Sequence, residues 1–189
     1  MNDRKPIRFT WWWLFFPMLG ILMAVAVIFG FQQPATPNNL TNASGSVGQV
    51  VGKPAPEFSA KTLDGSQVQL SDYKGTIVAI SFWASWCEPC KQELPELQKA
   101  AEKYPSSQLT ILAVNAGELE SIARTFISPM NVSFTVILDP DQSIMTQYRV
   151  GALPITYWVD PNGVIQQEQL GPLDLALIDH YIALLKGKS

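Results

Sequence analysis

The chain of 189 residues is poor in the side chains that most often carry chemistry, with two cysteines and one histidine. Such a set cannot complete a four-ligand Cys/His zinc site within one chain, and it excludes a disulfide-dense secreted scaffold. Charge is also scarce: 15% of residues are charged, and 13 basic side chains stand against 16 acidic ones. Without a cationic excess, nucleic acid is not the expected partner. Disorder over the whole length is excluded by a hydrophobic share of 47%. There is no internal repeat.

The lack of charge is most pronounced between Arg8 and Lys53, where there is no Asp, Glu, Lys or Arg. Within that gap Trp11 to Phe31 is apolar, interrupted by little more than Pro17, Gly20 and Gly30. As a helix this stretch would rise about 32 Å, against roughly 30 Å of bilayer hydrocarbon. Trp11, Trp12 and Trp13 would sit at one headgroup level, and Arg4, Lys5 and Arg8 flank that same end. The pattern predicts a single membrane anchor in residues 1–31, with a cytoplasmic N-terminus and an extracytoplasmic remainder. The competing reading is a cleaved signal peptide, whose apolar region runs about 7–15 residues and ends at a small-x-small site. Ala35 and Ala43 lack a small partner at the required spacing, and the length favours a retained anchor. Residues 32–50, rich in Pro, Asn, Ser and Gly, read as a flexible linker spanning about 24 Å. Residues 51–189 are then the folded domain.

From Val51 onward the hydrophobic pattern alternates between strand and helix. Phe58–Thr62 and Gln67–Leu70 flank Asp64-Gly65 and read as a hairpin. Thr76–Trp83, Leu109–Val114 and Phe134–Leu138 are short apolar runs expected of strands covered on both faces. Glu88–Tyr104 has helical spacing, with Leu94, Leu97 and Ala101 inward and a kink expected at Pro95. Leu119–Ile127, Gln142–Tyr148 and Leu173–Leu185 are the further helices. Ile155–Val159 and Val164–Leu170 are joined by the turn Pro161-Asn162-Gly163. The order predicts an α/β sandwich around a mostly parallel sheet with an antiparallel edge hairpin.

Both cysteines lie in Trp86-Cys87-Glu88-Pro89-Cys90, where the strand ends and the helix begins. As a staple the pair would be weak, because closing so short a loop removes only about 2 kcal/mol of unfolded-state entropy. As a redox couple the spacing is apt, since both sulfurs fall in the first helical turn. Unpaired N–H groups and the positive dipole end there favour thiolate over thiol. Cys87, nearest that end, is the expected attacking nucleophile and the more exposed of the two; Cys90 is the resolving thiol. Pro89 suits the first turn. Glu88 beside Cys87 would oppose the thiolate. A chance pair, or half of a metal site shared with a partner, is the bland alternative. Read without further context, Glu93 is a solvated helix residue beside Lys91 and Gln92, because glutamate is almost never fully buried. His180, in the last helix, reads as an ordinary histidine.

The run FWASWCEPCKQELP, followed downstream by GALPITYWVD, resembles the thioredoxin superfamily. More narrowly it is similar to the membrane-tethered ResA/TlpA-type thiol-disulfide reductases of cytochrome c maturation. The likeness runs from about Val51 to Leu185 and includes KPAPEFSAKTLDG, LAVNAGE and NVSFTVILDPDQSIMTQYRVGALP. It implies a thioredoxin-like sandwich with a mixed central sheet and an N-terminal β-hairpin extension. Pro154 matches the superfamily's cis-proline, which would turn the backbone of Leu153 toward the cysteines to pair with an extended substrate. Pro95 matches its helix-kinking proline. At Glu93 the resemblance reverses the solvated reading and implies a carboxylate that handles protons for the cysteine pair. The buried acid of cytosolic thioredoxin would fall at Ser81, which leaves proton management to Glu93 or water.

The resemblance thus implies an extracytoplasmic protein-disulfide reductase with Cys87, Cys90 and Glu93 as catalytic residues. Trp86, Glu88, Pro89, Leu153 and Pro154 are the candidate substrate contacts, and Trp83 is expected in the core. The redox group is the cysteine pair itself, with no separate cofactor or metal. The implied client is the oxidised CxxCH segment of apocytochrome c, and the implied reductant a membrane protein of the CcdA/DsbD type. Two rivals are a thiol peroxidase, suggested by the KPAPEF opening, and a Cu(I) chaperone, for which His180 is badly placed.

Overall fold

The computed structural model describes residues 50–187. The anchor expected in residues 1–31 and nearly all of the linker lie outside the described residues. Among the described residues no helix is long and apolar enough to cross a membrane.

The described residues form two sheets. β1 (Ser59–Lys61) and β2 (Gln67–Gln69) pair antiparallel as the expected hairpin. The five-stranded sheet contains β3 (Ile77–Trp83), β4 (Leu109–Ala116), β5 (Thr135–Asp139), β6 (Ile155–Val159) and β7 (Ile165–Leu170), in the order β5-β4-β3-β6-β7. β3 is parallel to β4, and β4 to β5, while β6 is antiparallel to both of its neighbours. The parallel pairs need crossovers. α1 (Glu88–Lys103) supplies the first and α2 (Glu120–Ile127) the second. α3 (Ser143–Gln147) precedes the β6–β7 hairpin and α4 (Leu175–Lys186) closes the fold. At the hairpin turn Gly163 has φ +84°, and Asp160 Oδ1 accepts from the backbone N–H groups of Asn162 and Val164.

Strand periodicity divides the core cleanly. Ile77, Ala79 and Trp83 point to one face with Leu94, Leu97, Ile111, Trp158 and Ile178. Val78, Ile80 and Phe82 point to the other with Phe58, Leu112, Val114, Tyr148 and Tyr157. Every residue of β3 is buried, as its continuous apolar run predicts. In α1 the buried positions are Cys90, Glu93, Leu94, Leu97 and Ala100. Ala101, expected inward, is only half-buried and Ala100 takes its place, because the buried stripe runs three residues on from Leu97 rather than four. Pro95 sits inside α1 on its exposed side, where its ring meets solvent rather than the core.

Candidate active site

β3 delivers the chain to the carboxyl edge of the sheet, and the tight segment Ala84–Trp86 turns it into α1. Cys87 is the N-cap of that helix, and its sulfur accepts the backbone N–H of Cys90 at 3.3 Å. Cys87 and Cys90 form a disulfide, with their Cα atoms 5.3 Å apart. A sulfur that caps a helix lies where unpaired N–H groups and the helix dipole stabilise negative charge. Cys87 is 4% exposed and Cys90 fully covered. The order is the expected one, but Cys87 is far less open than a free nucleophile, because the bond to Cys90 folds its sulfur into the first turn.

Glu88 and Pro89 are exposed. Glu88 Oε2 takes a hydrogen bond from Lys91 Nζ at 2.8 Å, which offsets part of the negative charge beside Cys87. Trp86 is exposed, while Trp83 is buried and packs against Phe126 with ring centroids 5.5 Å apart. Leu153 is half-buried, Pro154 is buried, and the bond between them is cis. Because Phe82 pairs with Ile155, Pro154 falls opposite Trp83, at the same sheet edge as the cysteines.

Glu93 is 1% exposed, so the solvated reading fails. Oε1 accepts from Ser81 Oγ at 2.6 Å and from Thr156 Oγ1 at 3.3 Å, and Oε2 accepts from the Leu173 N–H at 3.3 Å. Burial pushes its carboxyl up to about 7, only partly countered by those three donors. Ser81, where cytosolic thioredoxin keeps its acid, thus donates to an acid on the helix. Glu93 lies one turn after Cys90 on the buried face of α1, so a carboxyl held close to neutral pH shares that face with the second cysteine.

A second buried carboxylate received no role from the sequence. Glu118, 8% exposed, accepts from the Ser85 N–H at 2.8 Å, from Ser85 Oγ at 2.5 Å and from Asn115 Nδ2 at 2.7 Å. It ties the end of β4 to the segment that leads into Cys87. The available signal was an Asn near the end of a buried strand and a Glu just past its carboxyl end, where α/β folds place their sites. His180 is exposed on α4.

Comparison with known proteins matches residues 51–168 to the AhpC/TSA family. The chain belongs to that family. Within it, the chain is 35% identical over 135 residues to the thiol-disulfide oxidoreductase ResA of Bacillus subtilis, covering 71% of this chain and 75% of that one. It is 38% identical over 136 residues to the thioredoxin-like protein YneN of the same organism, covering 70% and 79%. Among solved structures, a Chlorobium tepidum protein assigned as a thiol:disulfide interchange protein DsbE superposes with a TM-score of 0.67 at 31% identity, covering 71% of this chain and 96% of that one. StoA of Bacillus subtilis superposes at 0.61 with 26% identity, covering 67% and 96%. The thioredoxin-like α/β fold with a mixed sheet is therefore shared, and this AhpC/TSA member is a thiol-disulfide oxidoreductase with its cysteine pair in a CxxC motif.

Proposed function

We propose that the protein works as a reductant of protein disulfides on the outer side of a membrane, in the maturation of c-type cytochromes. The observation that carries the reading is the pairing of an N-cap sulfur, Cys87, with a buried acid near neutrality, Glu93, on the same helix. In the reduced protein the Cys87 thiolate attacks one sulfur of the client disulfide. A Cys87–client bond forms, the client's own S–S bond breaks, and the first client thiolate leaves. Cys90 loses its proton, Glu93 being the nearby acceptor, and attacks the Cys87 sulfur. The mixed disulfide breaks, the second client thiolate leaves, and Cys87–Cys90 closes. Two electrons pass to the client, so an external dithiol must restore the pair.

Exposed Trp86 and half-buried Leu153 would form the rim that a client meets, with buried Pro154 beneath it and the backbone beside Leu153 as the edge for an extended segment. Glu88 and Pro89 shape the exposed turn between the sulfurs. The resemblance carried by FWASWCEPCKQELP and GALPITYWVD, not any property of the relatives themselves, is what suggests an apocytochrome c CxxCH segment as client and a CcdA/DsbD-type membrane protein as electron donor. The apolar segment Trp11–Phe31 supports an anchored domain with a cytoplasmic N-terminus. Neither a peroxidase nor a Cu(I) chaperone reading has an observation that favours it over this one.

Trapping tests the reading. A Cys90→Ala variant cannot resolve its mixed disulfide and should accumulate clients bound at Cys87. Cytochrome c precursors among them are the expected result. A trapped set without them removes the maturation role and leaves the redox chemistry, whereas no trapped protein at all contradicts the reading entirely.

A further inference from the structure

The structure carries an exposed apolar surface that thiol exchange itself does not require. Three of the large hydrophobic side chains exposed among the described residues lie on two segments that meet just before the disulfide: Trp86 at 69%, Leu119 at 67% and Ile122 at 46%. Trp86 follows Ser85 and Leu119 follows Glu118, and Ser85 and Glu118 are joined by two hydrogen bonds. Leu119 and Ile122 are one turn apart, linked by the Ile122 N–H to the Leu119 carbonyl at 3.0 Å. Phe126, one further turn along, stacks on Trp83, the last residue of the strand that leads into the cysteine loop. A depression lined by Ser121, Ile122, Thr125, Phe126 and Pro129 continues the surface from Ile122 along α2.

The distribution of charge on α2 sharpens the point. Its acid, Glu120, is bridged by Lys61 at 3.0 Å and by Arg124 at 2.7 Å. Its remaining polar residues on the lining of the depression, Ser121 and Thr125, are uncharged. Leu119 also breaks a local rule. It is the N-cap of α2 and makes no side-chain cap bond, in a position where Ser, Thr, Asp or Asn would satisfy an orphan N–H. An exposed leucine there gives up capping without gaining burial, and such conflicts tend to mark functional surfaces.

We infer that Trp86, Leu119 and Ile122 form a docking surface for client proteins that carry bulky apolar side chains next to their disulfide. Its occupant is set by continuity with the redox site, where every client must arrive, and by the absence of unpaired charge on the apolar flank. The inference rests on the reading of the protein as a reductant of protein disulfides. The surface would hold the client while Cys87 reacts, and would select among clients that present the same disulfide chemistry.

The test uses the full-length chain in detergent micelles, reduced beforehand, in single-turnover stopped-flow reactions. The probes are two disulfide-bonded CxxC peptides, one flanked by Leu and Phe and one flanked by Ser, together with oxidised glutathione. The wild-type protein should react about tenfold faster with the apolar peptide, the scale of one or two side chains entering an apolar contact. A Leu119→Ser/Ile122→Ser variant should lose that preference and keep its glutathione rate. Folding is protected in the variant because Ser is a better N-cap than Leu. A Leu184→Ser variant, which alters an exposed leucine on α4, should behave as wild type.

No preference in the wild type, or a preference that survives the double substitution, would overturn the inference while leaving the redox reading intact. So would an equal loss toward glutathione, or a concentration-dependent dimer abolished by the double variant, which would assign the surface to a second copy. Absence of reaction with every disulfide would overturn the underlying reading and this inference with it.

Discussion

Ser81 Oγ donates a 2.6 Å hydrogen bond to Glu93 Oε1, joining the strand that leads into the cysteine pair to the helix that leaves it. Thr156 on β6 and the backbone of Leu173 bond to the same carboxyl, so three separate segments converge on one buried acid. A carboxylate taken out of water is destabilised unless enough donors meet it, and here burial outweighs the donors. Glu93 is thereby held near the point of proton exchange at neutral pH, which a surface glutamate could not be.

This arrangement has a consequence for stability. The folded value of about 7 lies above the ordinary 4.5, so the folded chain binds more protons than the unfolded one between those limits. Stability contributed by the protonated carboxyl is therefore complete below about 4.5 and is lost as pH rises toward 7. The size of the loss is about 3 kcal/mol from the shift alone. Urea midpoints of the wild type and Glu93→Gln, compared at pH 5 and pH 8, check it. The variant should gain relative to wild type at the higher pH, and equal pH dependence would contradict the assignment.

The same substitution should alter exchange kinetics. With Gln at position 93 no proton can be accepted there, and resolution by Cys90 should slow by about 100-fold near neutral pH, the lower end of general-base contributions. The rate of the second step, followed by release of the client thiol, should also lose its inflection near pH 7. Retention of that inflection would assign it to another group.

Glu118 supports the loop before Cys87. Glu118→Ala leaves the Ser85 N–H, the Ser85 hydroxyl and Asn115 Nδ2 without their acceptor, a loss of about 2–3 kcal/mol for buried and partly buried donors. Glu118→Gln retains one acceptor oxygen and should lose about half as much. Chemical denaturation measures the difference, and the ranking Ala below Gln below wild type is the expected outcome.

Gly117 sets the direction of Glu118. Its φ of +70° is left-handed, and a Cβ built there would lie 2.6 Å from Gln142 Nε2. The amide end of Gln142 can swing away, so most of the effect of Gly117→Ala comes from the backbone, about 1–2 kcal/mol. Thermal unfolding of the variant should show a loss of that order; an unchanged midpoint would mean the turn relaxes freely.

Much of the architecture was legible in the sequence because its signals are local. The apolar run Thr76–Trp83, the Pro161-Asn162-Gly163 turn and the alternation of strand and helix each dictate an element without knowledge of its neighbours. The cysteine pair was legible for the same reason, being a motif four residues long at a strand-to-helix junction. The environment of Glu93 was not. Its burial depends on Ser81, Thr156 and Leu173, which lie 12, 63 and 80 positions away along the chain. Residue type alone argued for a solvated side chain, and only the resemblance pointed the other way. Glu118 received no role for a related reason: its partner Ser85 is 33 positions distant, and its place near the end of a buried strand is a weak signal when a lone Glu after Gly resembles an ordinary loop. The exposed leucine at position 119 is legible only once the helix start has been placed.

The direction of electron flow is the central claim, and the redox equilibrium of Cys87 and Cys90 against glutathione tests it most directly. A protein that reduces clients in an oxidising compartment should show a potential nearer thioredoxin's about −270 mV than DsbA's roughly −120 mV. A value at the oxidising end of that range would contradict the account, because such a disulfide would take electrons from its clients rather than give them.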